Sequence, residues 1–157
     1  MEWKPLAELH RMAQIGAFPR EEYEEIVIGL MDIDEFIEGI KNTAEFSSWG
    51  VMSIEGGTWR EMPTAMMSVS GCVHKGLVAL SYVRRTDLFR VADIDEEGNE
   101  IAIADDVFVG ELFGVLDAMI ERHPEWTDEE YTRIAYADSE QKGIDMDALE
   151  RQLETKN

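Results

Sequence analysis

Apolar positions recur at helical spacing over the first forty residues, give way to alternation over the next fifty, and then return to helical spacing. Pro5 suits a first helical turn, and Leu6, Leu9, Met12 and Ala13 fall on one face, which predicts a short helix ending near Gly16. Between 21 and 41, Tyr23, Ile26, Val27, Leu30, Ile33, Ile37 and Ile40 form one stripe, with Glu21, Glu22 and Glu25 on the opposite side. Asp32 followed by Glu35 spells a capping box, so this segment reads either as one helix or as two with a break near Met31.

From 49 the period changes. Trp49, Val51 and Ser53 alternate with Met52 and Ile54, and Glu55-Gly56-Gly57 supplies residues tolerant of positive φ, which predicts a hairpin there. Strands follow near 64 to 70, 76 to 84, 86 to 94 and 100 to 104, and consecutive strands without intervening helices imply an antiparallel meander. After Asp105-Asp106, which sit as favourable acids before a helix, Val107, Leu112, Phe113, Val115, Leu116, Met119 and Ile120 resume helical spacing up to Pro124. Thr127 with Glu130 is a second capping box, opening a helix through Tyr131 and Ile134, and a short helix is expected over 146 to 154.

The expected fold is therefore α+β: N-terminal helices, an antiparallel β-meander of about four to six short strands, and C-terminal helices packed on one sheet face. No repeat or Pro/Gly/Ser linker divides the chain, so 1–157 is read as a single domain, with 143–157 as a loosely attached C-terminal helix. The 45% hydrophobic fraction, with 9% aromatics, is that of a packed protein and separates the chain from acidic disordered sequences.

Charge adds the one lead to function. The formal net charge is -20, against a magnitude of about 2 to 8 for a small soluble domain. Residues 91 to 121 hold ten carboxylates and no Lys or Arg, and residues 21 to 40 hold eight and none, whereas residues 41 to 90 hold six bases against four acids. Such a surface disfavours nucleic acid and anionic membrane and favours basic partners, with association that weakens as salt rises. A single cysteine, Cys72, forbids an internal disulfide, and the opening Met1-Glu2-Trp3-Lys4-Pro5 lacks the pattern of a signal peptide, so a cytoplasmic protein is expected.

Candidate chemistry is sparse. Asp93-Ile94-Asp95-Glu96-Glu97-Gly98 starts like a calcium loop, but the twelfth position is Ala104 and the flanks read as strands, so a hairpin turn at Gly98 is the expectation. Cys72 and His74 lie two apart on an expected strand and are the one pairing that suggests a small enzyme. His10 and His123 are isolated, and no phosphate loop, metal cluster or nucleophile elbow is present in the sequence, so neither cofactor, metal nor catalysis is expected. Trp49, Trp59 and Trp126 read as cover for the core, with partner anchoring as the sharper alternative. Arg84, Arg85 and Arg90 are expected to pair with carboxylates inside the molecule or across a homodimer.

The functional expectation is an acidic inhibitor or nucleic-acid mimic that occupies a basic surface of a nucleic-acid-handling protein, of the anti-CRISPR or anti-restriction type carried by phage or plasmids. An immunity protein for a basic nuclease toxin is the alternative within that class. The residues expected to meet the partner are Glu21, Glu22, Glu24, Glu25, Asp32, Asp34, Asp93, Asp95, Glu96, Glu97, Asp105 and Asp106.

Overall fold

Two apolar helical stripes and one sheet face account for the main core. In the computed structural model, which describes residues 2–141, strand β1 (Lys4–Pro5) leads into helices α1 (Leu6–Gln14), α2 (Arg20–Ile40) and α3 (Ala44–Ser48). Strands β2 (Ser53–Trp59), β3 (Met62–Ser70), β4 (Lys75–Val83), β5 (Leu88–Ile94) and β6 (Glu100–Val107) follow, then α4 (Val109–Ile120) and α5 (Asp128–Gln141). The six strands form one antiparallel sheet in the order β1-β2-β3-β4-β5-β6, an α+β meander with helices at both ends of the chain. The expected helix over 146 to 154 lies outside the described residues.

Helix α2 is unbroken. Ile26, Leu30, Ile33 and Ile37 stay on one buried stripe at spacings of four, three and four, so a break near Met31 would lift half of the stripe off the sheet. Asp32 and Glu35 are exposed on the far side and cap nothing. The stripe packs on Ala65, Met67, Val69, Val78, Leu80 and Tyr82, while Leu112, Leu116 and Ile120 of α4 complete the same core beside Phe89 and Val91. Each such aliphatic side chain, fully buried, contributes roughly 1.5–3 kcal/mol.

Glycines at 56 and 57 do not form the expected turn. They lie inside β2, where a Cβ on Gly57 would stand 2.1 Å from the Lys4 carbonyl oxygen and one on Gly56 would stand 3.2 Å from Leu30. Glycine is needed at 57 for the close approach of β1, Gly56 fits closely against Leu30 of α2, and neither reverses the chain. The reversal comes instead at Arg60 and Glu61, whose φ angles of 51° and 67° give a two-residue turn of the type whose twist matches a hairpin. Further along, Asp105 and Asp106 belong to β6, where Asp106 takes φ of 53°, and the strand runs on to Val107 before α4 begins at Val109.

Short helix α3 has no counterpart in the hydrophobic pattern. Thr43 caps it by accepting the Phe46 amide at 3.2 Å, and Trp49 closes it, fully buried against Phe46 and Phe113. The expected capping box at Thr127 does open α5, where the threonine hydroxyl accepts the Glu130 amide at 3.1 Å and donates to its carboxylate at 3.2 Å.

The sheet face away from the helices is also buried, although no helix of the described residues covers it. Trp59, Met66, Ala79, Ala92 and Ile94 form a second cluster there, with Trp3 and Leu77 at its margin. Trp59 at the end of β2 donates its Nε1 proton to Glu100 at the start of β6, at 3.0 Å. On a flat sheet these residues would be four strand spacings apart sideways and offset along the strands as well, more than about 20 Å in all. The twisted sheet must therefore coil until two diagonal corners meet, so that this face closes on itself.

Candidate functional site

Buried ionic chemistry concentrates where the sheet corners meet. Glu100 accepts from Trp59, from Arg60 and from both terminal nitrogens of Arg90, the last pair at 2.5 and 3.0 Å, and Arg90 also reaches Asp105 at 3.0 Å. The Arg90 guanidinium beside it, against a smaller opposing effect of burial and with help from Trp59 and Arg60, holds the Glu100 carboxyl down at about 2. This cluster joins β2, the β2–β3 turn, β5 and β6, so it is a structural staple. Arg84 likewise pairs within the molecule, with Glu25 at 3.4 Å, so two members of the basic cluster are engaged as expected.

Around Cys72 the arrangement is unsuited to a nucleophile. Residues 71–74 form the turn between β3 and β4 and not a strand, so the alternation that placed Cys72 and His74 on one side does not hold. His74 Nε2 lies 2.9 Å from the Leu77 carbonyl oxygen. The Cys72 amide donates to the Glu121 carboxylate at 3.0 Å, and its sulfur lies 3.9 Å from Asp138. Burial, followed by Glu121 and then Asp138, pushes the thiol up to about 12, which leaves it protonated at neutral pH. Among the described residues, no group of three His, Cys, Asp or Glu side chains is placed to hold a metal ion.

A cleft of about 850 Å³ lies between the start of α2 and the strand ends, lined in part by Phe18, Ile26, Pro63 and Tyr82. Lys4, Arg60 and Arg84 face Glu2, Glu22, Glu25 and Glu61 around it, so its charges are of mixed sign. With Arg60 tied to Glu100 and Arg84 to Glu25, two of its three cations are already engaged.

The twelve acids named from the sequence fall into four places. Glu21, Glu22, Glu24, Glu25, Asp32 and Asp34 are all exposed on α2. Glu21, Glu25, Asp32 and Glu35 form one outward stripe, with Ile28, 49% exposed, within it. Asp105 and Asp106 lie at the same end of the sheet as the C-terminal part of α2, because Phe36 of α2 packs 6.4 Å from Phe89, and Phe89 pairs with Val107. Asp95, Glu96 and Glu97 form the β5–β6 turn at the other end of β5, roughly 20 Å away for a strand of that length. There Asp95 accepts the amides of Glu97 and Asn99 at 3.0 and 2.8 Å, and Gly98 takes φ of 86°, which makes the calcium-like sequence a hairpin turn.

Asp93 leaves the surface set altogether. It is 3% exposed, on the helix-side face of β5, and its Oδ1 has no hydrogen-bond partner among the described residues. Burial raises its pKa to about 6, against a lowering influence from His74. A folded pKa above the unfolded value near 3.9 means a stability contribution that is complete below about pH 4 and lost as pH rises through about 6. Asp93→Asn is accordingly expected to stabilise the protein by about 1–2 kcal/mol at pH 8, an advantage that closes towards pH 4 in urea denaturation.

Other acids of the 91 to 121 block prove structural. Glu100 anchors the staple, Asp117 accepts the Trp49 indole proton at 2.9 Å, and Glu121, 4% exposed, holds the Cys72 amide. Trp49 and Trp59, 0% and 3% exposed, are core residues and so unavailable to anchor a partner. No helix of the described residues is long and apolar enough to cross a membrane. No protein-family model matches this chain, and no curated protein or solved structure matches it either.

Proposed function

We propose that this protein is an inhibitor that presents the charge pattern of a nucleic acid to a basic protein, occupying the surface on which that protein would hold DNA or RNA. The observation that supports the reading is the density and placement of charge on α2. Eight carboxylates from Glu21 to Glu38 occupy about 26 Å of helix axis, or about one per 3 Å. One strand of a DNA duplex carries a negative charge per roughly 3.4 Å of axis.

These acids are held by a helix docked on a sheet, and only Glu25 and Glu38 among them form ion pairs within the described residues. The others are already desolvated as little as possible and stand ready to exchange counterions for Lys and Arg. Asp106 adds negative charge at the same end of the sheet, whereas Asp105 is tied to Arg90 and the 95–97 turn lies at the other end of β5. A nuclease or a guide-RNA effector with a Lys- and Arg-lined channel is the kind of partner this reading calls for, and a counter-defence inhibitor of phage or plasmid origin is the role we propose.

The test is affinity capture from a bacterial lysate with the full chain as bait, at low and at high salt. The reading expects retention of a basic nucleic-acid-binding protein at low salt and its release at high salt. Capture that is indifferent to salt, or of proteins without basic surfaces, would contradict it.

A further inference from the structure

We propose that the free edge of the sheet, strand β6, is a docking site for an extended segment of a basic protein, which joins the sheet as a seventh strand. Strand β6 is last in the sheet order and pairs only with β5, so its outer backbone groups have no strand partner among the described residues. Ile101 and Ile103 are 59% and 50% exposed on it, and Phe108 and Val109 continue the apolar surface at 60% each. Edge strands are normally blunted by charged residues, Lys above all, by Pro, by β-bulges or by brevity. The opposite edge shows this where β1, two residues long and made of Lys4 and Pro5, covers Gly57 and Thr58. Residues 100–107 contain no Lys, Arg or Pro. On β6 the acids and ladder irregularities stand at its ends, which leaves Ile101 to Ala104 uncharged between them. Irregularities in the β5–β6 ladder flank the stretch from Ala102 to Ala104, which pairs regularly with Asp93, Ala92 and Val91 and sets where a new strand would align.

Charge selects the occupant. Asp95, Glu96 and Glu97 stand at one end of this edge and Asp105, Asp106 and Glu111 at the other. A second copy of the chain is disfavoured in either direction. Antiparallel pairing would set the 95–97 turn of each copy against Asp105 and Asp106 of the other, and parallel pairing would set each acidic end against itself, where like charges across a ladder destabilise. A segment with alternating apolar residues between Lys or Arg at both ends meets opposite charge at both ends, and its backbone supplies the hydrogen bonds while Ile101 and Ile103 supply the apolar contact. This inference rests on the proposed basic partner, and names how that partner engages.

The experiment is amide hydrogen exchange by NMR on the full chain, alone and with a synthetic peptide of alternating Val and Thr flanked by two Lys at each end. Outward amides of β6 are expected to exchange freely in the free protein and to slow about tenfold or more with the peptide, a change of about 1.4 kcal/mol. Ile103→Lys is expected to abolish that protection, while Glu45→Lys, at an exposed position of α3, leaves it in place. A peptide of the same charge with alternate backbone nitrogens methylated is expected to give none. Equal binding of the methylated peptide, or protection on α2 in place of β6, would overturn strand addition while leaving a basic partner intact. Equal binding of a peptide with Glu in place of Lys would overturn the basic partner while leaving strand addition. Outward β6 amides already protected in the free monomer would assign the edge to the chain itself. A concentration-dependent dimer lost in Ile103→Lys would assign it to a second copy, and either result overturns the proposal.

Discussion

Glu100→Ala is expected to destabilise the protein by about 3–5 kcal/mol, the scale typical when one partner of a buried ion pair is removed. The Glu100 side chain is 7% exposed and that of Arg90 is 12% exposed, so the truncation strands a buried guanidinium and an indole N–H that lose their shared acceptor. Asp105 keeps only one contact to Arg90, from an exposed position, and cannot replace the bidentate pair. Arg60, which adopts a left-handed backbone conformation at the turn, loses its anchor at the same time.

The pH dependence has a definite sign. Because the folded carboxyl is held near 2, below the ordinary glutamate value near 4.3, its stabilising effect is complete above about pH 4 and is lost as pH falls through about 2. Urea melts of the wild type and Glu100→Ala should therefore differ most at neutral pH and converge in acid. Equal stability at pH 7 would mean that the coiled face is held by Trp59 and its apolar neighbours alone.

The second large effect is expected on binding and not on folding. Glu21→Lys, Glu25→Lys and Asp32→Lys combined reverse the outward stripe of α2 at three exposed positions, so helix and core should be unaffected in circular dichroism. An exposed ion pair contributes roughly 0.2–1 kcal/mol, and reversal removes an attraction and installs a repulsion of similar size. Three sites together should weaken the complex with the captured basic partner by about 100-fold at low salt, with a flatter salt dependence. The same reversals at Asp95, Glu96 and Glu97, which meet only one end of a segment docked on β6, should cost less. A stronger effect of the turn than of α2 would relocate the binding surface.

The helices and the meander were legible because their signals are local. The stripe of Ile26, Leu30, Ile33 and Ile37 and the capping box of Thr127 and Glu130 are complete within a few turns of chain. Errors arose where one residue type serves two purposes. Gly56 and Gly57 have the pattern of a turn, yet Lys4 and Leu30 approach them inside β2, and the turn at Arg60-Glu61 carries no Gly or Asn. Asp93 was read as a surface acid because its neighbours are, but strand alternation turns its side chain inward.

Contacts between Trp59 and Glu100 depend on the coiling of the whole sheet, since the two are 41 positions apart in sequence, so neither spacing nor periodicity announces the staple. One signal was available in retrospect. Arg90 is a cation in a strand whose other residues are apolar except for Asp93, and such a residue requires a partner wherever it is buried. For the candidate site, composition located the acidic α2 but not the sorting of the second block, where four carboxylates turned out to be buried or bonded to core residues.

The most direct measurement of the central claim is competition. The basic partner recovered by capture is mixed with labelled DNA or RNA that it binds, and this protein is titrated in while fluorescence anisotropy follows the nucleic acid. Displacement to completion, with the α2-reversed variant inactive, is the predicted result. A ternary complex in which the nucleic acid remains bound at saturating protein would contradict it, since the acidic face of α2 would then occupy some surface other than the nucleic-acid site.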